Sequence, residues 1–123
     1  MRWLLTAGIL LFFPQSVYAV TLFGPASYYS ESGCLGCSPT LTMANGQRLD
    51  DGRKTIALTP AIVRTYKLLN KKVILQNRTT GKHTVAVVTD TGGFARYGRI
   101  ADLSVATKFA IGCSSLCQVS ISF

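Results

Sequence analysis

Acidic residues are scarce in this chain. Five Asp and Glu stand against thirteen Lys and Arg, a formal net charge of +8, and there is a single histidine, His83. A lone histidine offers no nitrogen-rich cluster of the kind that binds metals, and His83 falls in a strand-like stretch where it reads as structural. No apolar run is long enough to span a bilayer. No repeat recurs along the sequence, so a solenoid or array is excluded. The cations, from Arg48 and Arg53 through Lys71, Lys72 and Arg78 to Arg99 and Lys108, are scattered, which excludes a nucleic-acid-binding arm. Such an excess of positive charge suits either simple solubility or long-range attraction to an anionic polymer outside the cytoplasm.

What is present begins with a leader. Arg2 precedes an apolar run from Trp3 to Pro14, and Val17 and Ala19 place small residues before a cut, so residues 1–19 read as a signal peptide cleaved after Ala19. No cysteine stands at that cut, so neither a lipid attachment nor a lasting membrane anchor is expected, and the product is periplasmic or secreted. Subtracting 19 residues from 123 leaves 104, residues 20–123, enough for one domain with a modest core.

Four cysteines lie in two close pairs, Cys34 with Cys37 and Cys113 with Cys117. An even count in an exported chain favours disulfides, with three possible pairings. Bridges between the two segments would remove roughly 4 to 5 kcal/mol of unfolded-state entropy, and local bridges would do less. A four-thiolate zinc site is the competing reading.

Along the chain, Gly24-Pro25 suggests a turn before a strand from Ala26 to Tyr29, with Tyr28 and Tyr29 on opposite faces. Asn45-Gly46 and Asp51-Gly52 signal turns. Thr55 to Leu58 reads as a short strand, and Thr59-Pro60 starts a short helix carrying Ile62, Val63, Tyr66 and Leu69. Strands from Val73 to Asn77 and from His83 to Thr89 form a hairpin across residues 78–82. Asp102 or Ser104 caps a helix whose buried stripe is Leu103, Ala106, Phe109 and Ala110, ended by Gly112. Val119, Ile121 and Phe123 alternate with polar residues in a last strand. Five or six short strands with so many turns indicate a small, mainly β barrel.

The chain is organised around Val85 to Ser104. Val85 to Val88 are apolar enough to be buried on both faces, and the strand delivers one acid, Asp90, to a rim. Gly92 and Gly93 follow, permitting positive φ and leaving room for a ligand against the backbone. GPASYYS, MANGQRLDD and VVTDTGGFARYGRIADLSVATKFAIG occur in the order seen in RlpA-like (rare lipoprotein A) proteins, which this chain resembles over residues 20–123; it is similar more remotely to expansins and barwin-type proteins. The resemblance implies a six-stranded double-psi β-barrel with one or two short helices. It also implies a peptidoglycan partner, and lytic transglycosylation between N-acetylmuramic acid and N-acetylglucosamine to give a 1,6-anhydro product.

On that resemblance Asp90 is the candidate acid/base, and Asn45, Gln47, Tyr29, Phe94 and Arg99 are candidate sugar contacts. The chemistry calls for no cofactor and no metal, and the protein is expected to act as a monomer. Two departures favour a barrel that binds peptidoglycan without cleaving it. Gln47 replaces a Glu and cannot exchange a proton at neutral pH, and Leu58 stands where a His is expected. A third class is a secreted, disulfide-stapled interaction protein.

Overall fold

The computed structural model describes residues 19–34 and 36–123; except for Ala19, the expected signal peptide lies outside them. Six strands, β1 (Thr21–Tyr28), β2 (Thr55–Leu58), β3 (Lys72–Asn77), β4 (His83–Thr91), β5 (Ala101–Leu103) and β6 (Cys117–Ser122), close into a barrel in the order β1-β5-β2-β4-β3-β6. The pairs β1–β5 and β2–β4 are parallel, and the other four are antiparallel. Two short helices, α1 (Pro60–Tyr66) and α2 (Val105–Ala110), and a 3-10 turn at Phe94–Tyr97 complete the fold. This is the mainly β, six-stranded double-psi barrel the sequence implied. No helix among the described residues is long and apolar enough to cross a membrane.

Period-2 patterning builds the interior. Ile56, Leu58, Val73, Leu75, Ala86, Val88, Leu103, Val119 and Ile121 point inward and are essentially inaccessible to water. The hairpin forms as expected, with Gln76 opposite His83 and Lys72 opposite Val87. Helix α1 starts at Thr59-Pro60 and stops where Lys67 turns left-handed at φ 54°.

Three expectations are corrected and one alternative is decided. Val85 is 42% exposed, because the wall of a small closed barrel has one inner face and β4 alternates across it. Gly24-Pro25 is not a turn: β1 runs straight through it, paired with Val119 and Gln118 of β6. The Pro25 carbonyl accepts from Ile100 N at 2.9 Å, and Gly24 is small because a Cβ there would sit 2.7 Å from Ile100 Cγ2. Phe109 is 70% exposed, since a helix of six residues buries only a narrow stripe, which Thr107 and the following Ile111 supply. Ser104, accepting from Thr107 N, is the cap of α2, while Asp102 lies in β5.

The cysteines pair locally, Cys34 with Cys37 and Cys113 with Cys117, with Cα atoms 5.6 and 5.7 Å apart. All four sulfurs are thereby used and none is left as a thiolate for zinc. Loops this short are each worth about 2 kcal/mol in the chain-entropy model, about half of what a bridge between the two segments would supply.

A second, smaller core lies outside the barrel. Tyr29, Met43, Leu49 and Phe94 pack on Ala57, with Cys34, Cys37 and Leu41 against them. It fastens the segment between β1 and β2 to the outer face of the wall. Glu31 holds the far side of that segment, accepting from Arg48 Nη1 at 2.9 Å and from Asp51 N at 3.0 Å.

Candidate functional site

Strand register assembles the site. Ser27 of β1 lies opposite Asp102 of β5, Asp102 opposite Ala57 of β2, and Ala57 opposite Asp90 of β4. Residues directly opposite in a sheet project from the same face. Ala57 belongs to the outer core while its neighbours Ile56 and Leu58 fill the barrel, so the whole row Ser27–Asp102–Ala57–Asp90 faces outward. Two strand spacings separate the acids, about 10 Å between Cα atoms.

A bulge aims Asp90. The β2–β4 register slips between Ile56 and Ala57, so that Val88 opposes Ile56 but Asp90, not Thr89, opposes Ala57. Without the extra residue the alternation would turn Asp90 into the barrel. The displaced Thr89 is buried, its hydroxyl 3.2 Å from Met43 Sδ and its carbonyl accepting from Asn45 N at 3.1 Å.

A cleft of about 630 Å³ lies over Asp102, Ala57 and Asp90 of the row, walled on one side by residues of the loop that ends at Met43 and on the other by residues 91–99. At its floor Asp90 Oδ1 accepts two backbone hydrogen bonds, from Ala44 N and Thr91 N, each at 2.9 Å. Asp90 Oδ2 has no hydrogen-bond partner among the described residues, and the half-buried side chain lines the cleft. Burial raises the Asp90 pKa from the ordinary carboxylate value; the two amides oppose the rise and the Asp102 charge adds to it. Asp102 is held differently: its Oδ1 accepts from Ser27 Oγ and from Arg99 Nη1, the latter at 3.3 Å, and Arg99 Nη1 also donates to Ser27 Oγ. Asp102 Oδ2 also lacks a partner among the described residues.

The other candidates divide into two groups. Tyr29, Phe94 and Arg99 line the cleft. Tyr29 is nearly buried in its wall with the hydroxyl 3.9 Å from Met43 Sδ, and burial followed by the charges of Asp90 and Asp102 raises its pKa. Phe94 is 4% exposed, and its ring fills the space in front of Gly92, where a Cβ would come within 2.6 Å of Cε1. The missing side chain at Gly92 therefore admits the chain's own phenyl ring and not a ligand. The left-handed glycine of this loop is Gly98, at φ 78°, while Gly93 has φ −87°. Asn45 and Gln47 do not line the cleft. Asn45 Nδ2 donates to Gln47 Oε1 at 3.0 Å and to Asn70 Oδ1 at 2.9 Å, and Asn45 Oδ1 accepts from Gln47 N at 3.0 Å. Leu58, at the position of the expected His, lies inside the barrel.

Asp102, Arg96 and Tyr97 line the cleft without having been singled out as sugar contacts, and Ser27 stands behind them, bonded to Asp102 and Arg99. Asp102 and Ser27 could have been found from alternation, since Ala101-Asp102-Leu103 and Ala26-Ser27 each place a polar residue beside inward ones. Tyr97 is 67% exposed, with the Arg96 and Arg99 guanidinium carbons 5.2 and 5.7 Å from its ring centre.

A closed barrel with two parallel strand pairs and an outward row of acids under a cleft defines the chain as a double-psi-type β-barrel. Comparison with solved structures agrees. An apo expansin of Clavibacter michiganensis matches with TM-score 0.62 and 18% identity over 85% of this chain and 50% of its own. An Asp-to-Asn mutant of that expansin in complex with cellohexaose matches at TM-score 0.62 and 17% identity, again over 85% and 50%. The Streptomyces papain inhibitor matches at TM-score 0.58 and 16% identity over 86% of this chain and 96% of its own. The chain thus spans half the length of the expansin and nearly all of the inhibitor, and at these identities the likeness is one of fold. No family model and no curated protein matches the sequence.

Proposed function

We propose that the chain is an exported, carbohydrate-directed barrel acting on peptidoglycan, with Asp90 as the acid/base of a lytic transglycosylation. The observation that carries this reading is the division of labour within one carboxyl that lines the cleft: Oδ1 is fixed by two backbone amides and Oδ2 has no hydrogen-bond partner among the described residues. A carboxyl whose pKa is raised by burial is suited to give its proton to the leaving glycosidic oxygen as the bond from that oxygen to C1 breaks. The resulting carboxylate then takes the proton of the C6 hydroxyl as O6 bonds to C1, closing the anhydro ring and restoring the acid. Because the nucleophile belongs to the sugar, no second carboxylate need activate water. The sequence resemblance to RlpA-like proteins supports peptidoglycan as the target, and the leader together with two disulfides supports an oxidising, extracytoplasmic location. An expansin of this fold in complex with cellohexaose supports a glycan partner.

A second reading is a stapled barrel that binds a protein partner. It is favoured by the match to almost the whole length of the papain inhibitor. Incubation of the protein and its Asp90→Asn variant with purified sacculi, followed by mass spectrometry of the soluble fraction, tests the first reading. Anhydro-muropeptides released by the parent and not by the variant are the expected result. No release by either, together with inhibition of papain, would replace it with the second.

A further inference from the structure

We propose that Arg96 is the specificity residue of the cleft and that it selects glycans carrying carboxylate groups over neutral ones. This rests on the carbohydrate reading above and names the kind of sugar chain the cleft takes. The cleft holds two guanidinium groups, those of Arg96 and Arg99, and two carboxylates, those of Asp90 and Asp102. Arg99 is already committed, paired with Asp102 and bonded to Ser27. Arg96 has no acidic partner among the described residues. It is an exposed cation with its guanidinium carbon over the Tyr97 ring, 5.2 Å from the ring centre, and it makes no ion pair on this cleft wall among the described residues.

The wall that carries Arg96 is not a loose loop. Phe94 anchors the 3-10 turn in the outer core, and Gly98 closes it with its N–H donating to Ala95 and Phe94 carbonyls. A planar guanidinium with no acidic partner has its donors left over, and these match a carboxylate in two parallel bonds. The aromatic face beside it suits a pyranose ring. A neutral glucan would leave the Arg96 guanidinium unpaired.

The test compares one polymer in two charge states. Peptide-free glycan strands, whose muramic acid residues keep free lactyl carboxylates, are measured against the same strands with those carboxylates converted to methylamides, by calorimetry with the full protein. The parent is expected to bind the carboxylate form about tenfold more tightly. Arg96→Gln should erase that preference while binding the amidated strands as the parent does, and Arg96→Lys should restore part of it. Equal binding of both strands by the parent overturns the assignment and leaves the carbohydrate reading standing, as does loss of affinity for both strands in Arg96→Gln. Binding of neither strand by the parent overturns both.

Discussion

Gly92→Ala is the substitution that tests how the cleft wall is built. The structure puts the new Cβ 2.6 Å from Phe94 Cε1 and 2.8 Å from Cδ1, well inside any real carbon–carbon contact, so the ring must leave its place. Phe94 is 4% exposed and belongs to the outer core with Tyr29, Met43 and Leu49, so displacing it overpacks one side and opens the other. Overpacking of this kind costs about 1 to 3 kcal/mol, which in a domain near a hundred residues lowers Tm by roughly 5 °C or more. The neighbouring glycine supplies the control. A Cβ on Gly93 meets nothing within 4 Å, and at φ −87° it is in a region open to any residue, so Gly93→Ala should stay within about 0.5 kcal/mol of the parent. Calorimetric scans of both variants, with near-ultraviolet circular dichroism to follow the aromatic packing, measure the contrast. Equal Tm values for the two variants would refute the claim that Gly92 exists to seat the Phe94 ring.

Further outcomes follow from the electrostatics and the bridges. Because burial raises the Asp90 pKa, the folded state holds that proton more tightly than the unfolded one. The stability this contributes is complete below the unfolded value of about 3.9 and is lost as pH rises through the folded value. The Asp90→Asn variant should show a shallower decline of Tm across that window, and a decline as steep as the parent's would count against burial as the cause. Arg99→Gln strips Asp102 of its cation in a pair whose side chains are 28% and 22% exposed, at a cost of about 1 to 2 kcal/mol, between surface and buried pairs. A double-mutant cycle with Asp102→Asn should recover most of that as coupling, and a coupling near zero would contradict it. Non-reducing peptide mapping should find Cys34 joined to Cys37 and Cys113 to Cys117, with no linkage between the two segments; one cross-linked peptide containing both would overturn the local pairing.

The barrel was legible because its interior is written in alternation: Val119 and Ile121, Val73 and Leu75, Ile56 and Leu58 each announce an inward face. The hairpin and the start of α1 were legible from local turn and cap chemistry. What resisted was whatever depends on register. The turn expected at Gly24-Pro25 gives way to a strand because Ile100, seventy-odd residues later, needs the space above Gly24. Asp102 sits three residues before α2 and reads as a cap until β5 is paired, when it becomes part of a cleft floor. Asp90 was recognisable as an acid at a strand's end, yet its outward aim depends on the bulge at Thr89, which no local pattern announces. Phe94 and Gly92 illustrate the same limit: a glycine that looks like room for a ligand is filled by an aromatic ring two residues along.

One surface carries the proposed activity, the cleft above Asp102, Ala57 and Asp90. Nitrogen-15 spectra of the labelled protein, recorded during titration with peptide-free peptidoglycan strands, test it directly. The amides of Ala44 and Thr91, which hold Asp90, and those of Arg96 to Arg99 on the opposite wall should shift together and saturate at one strand concentration. Shifts confined to the far side of the barrel, around β3 and β6, or no shifts at any concentration, would contradict it.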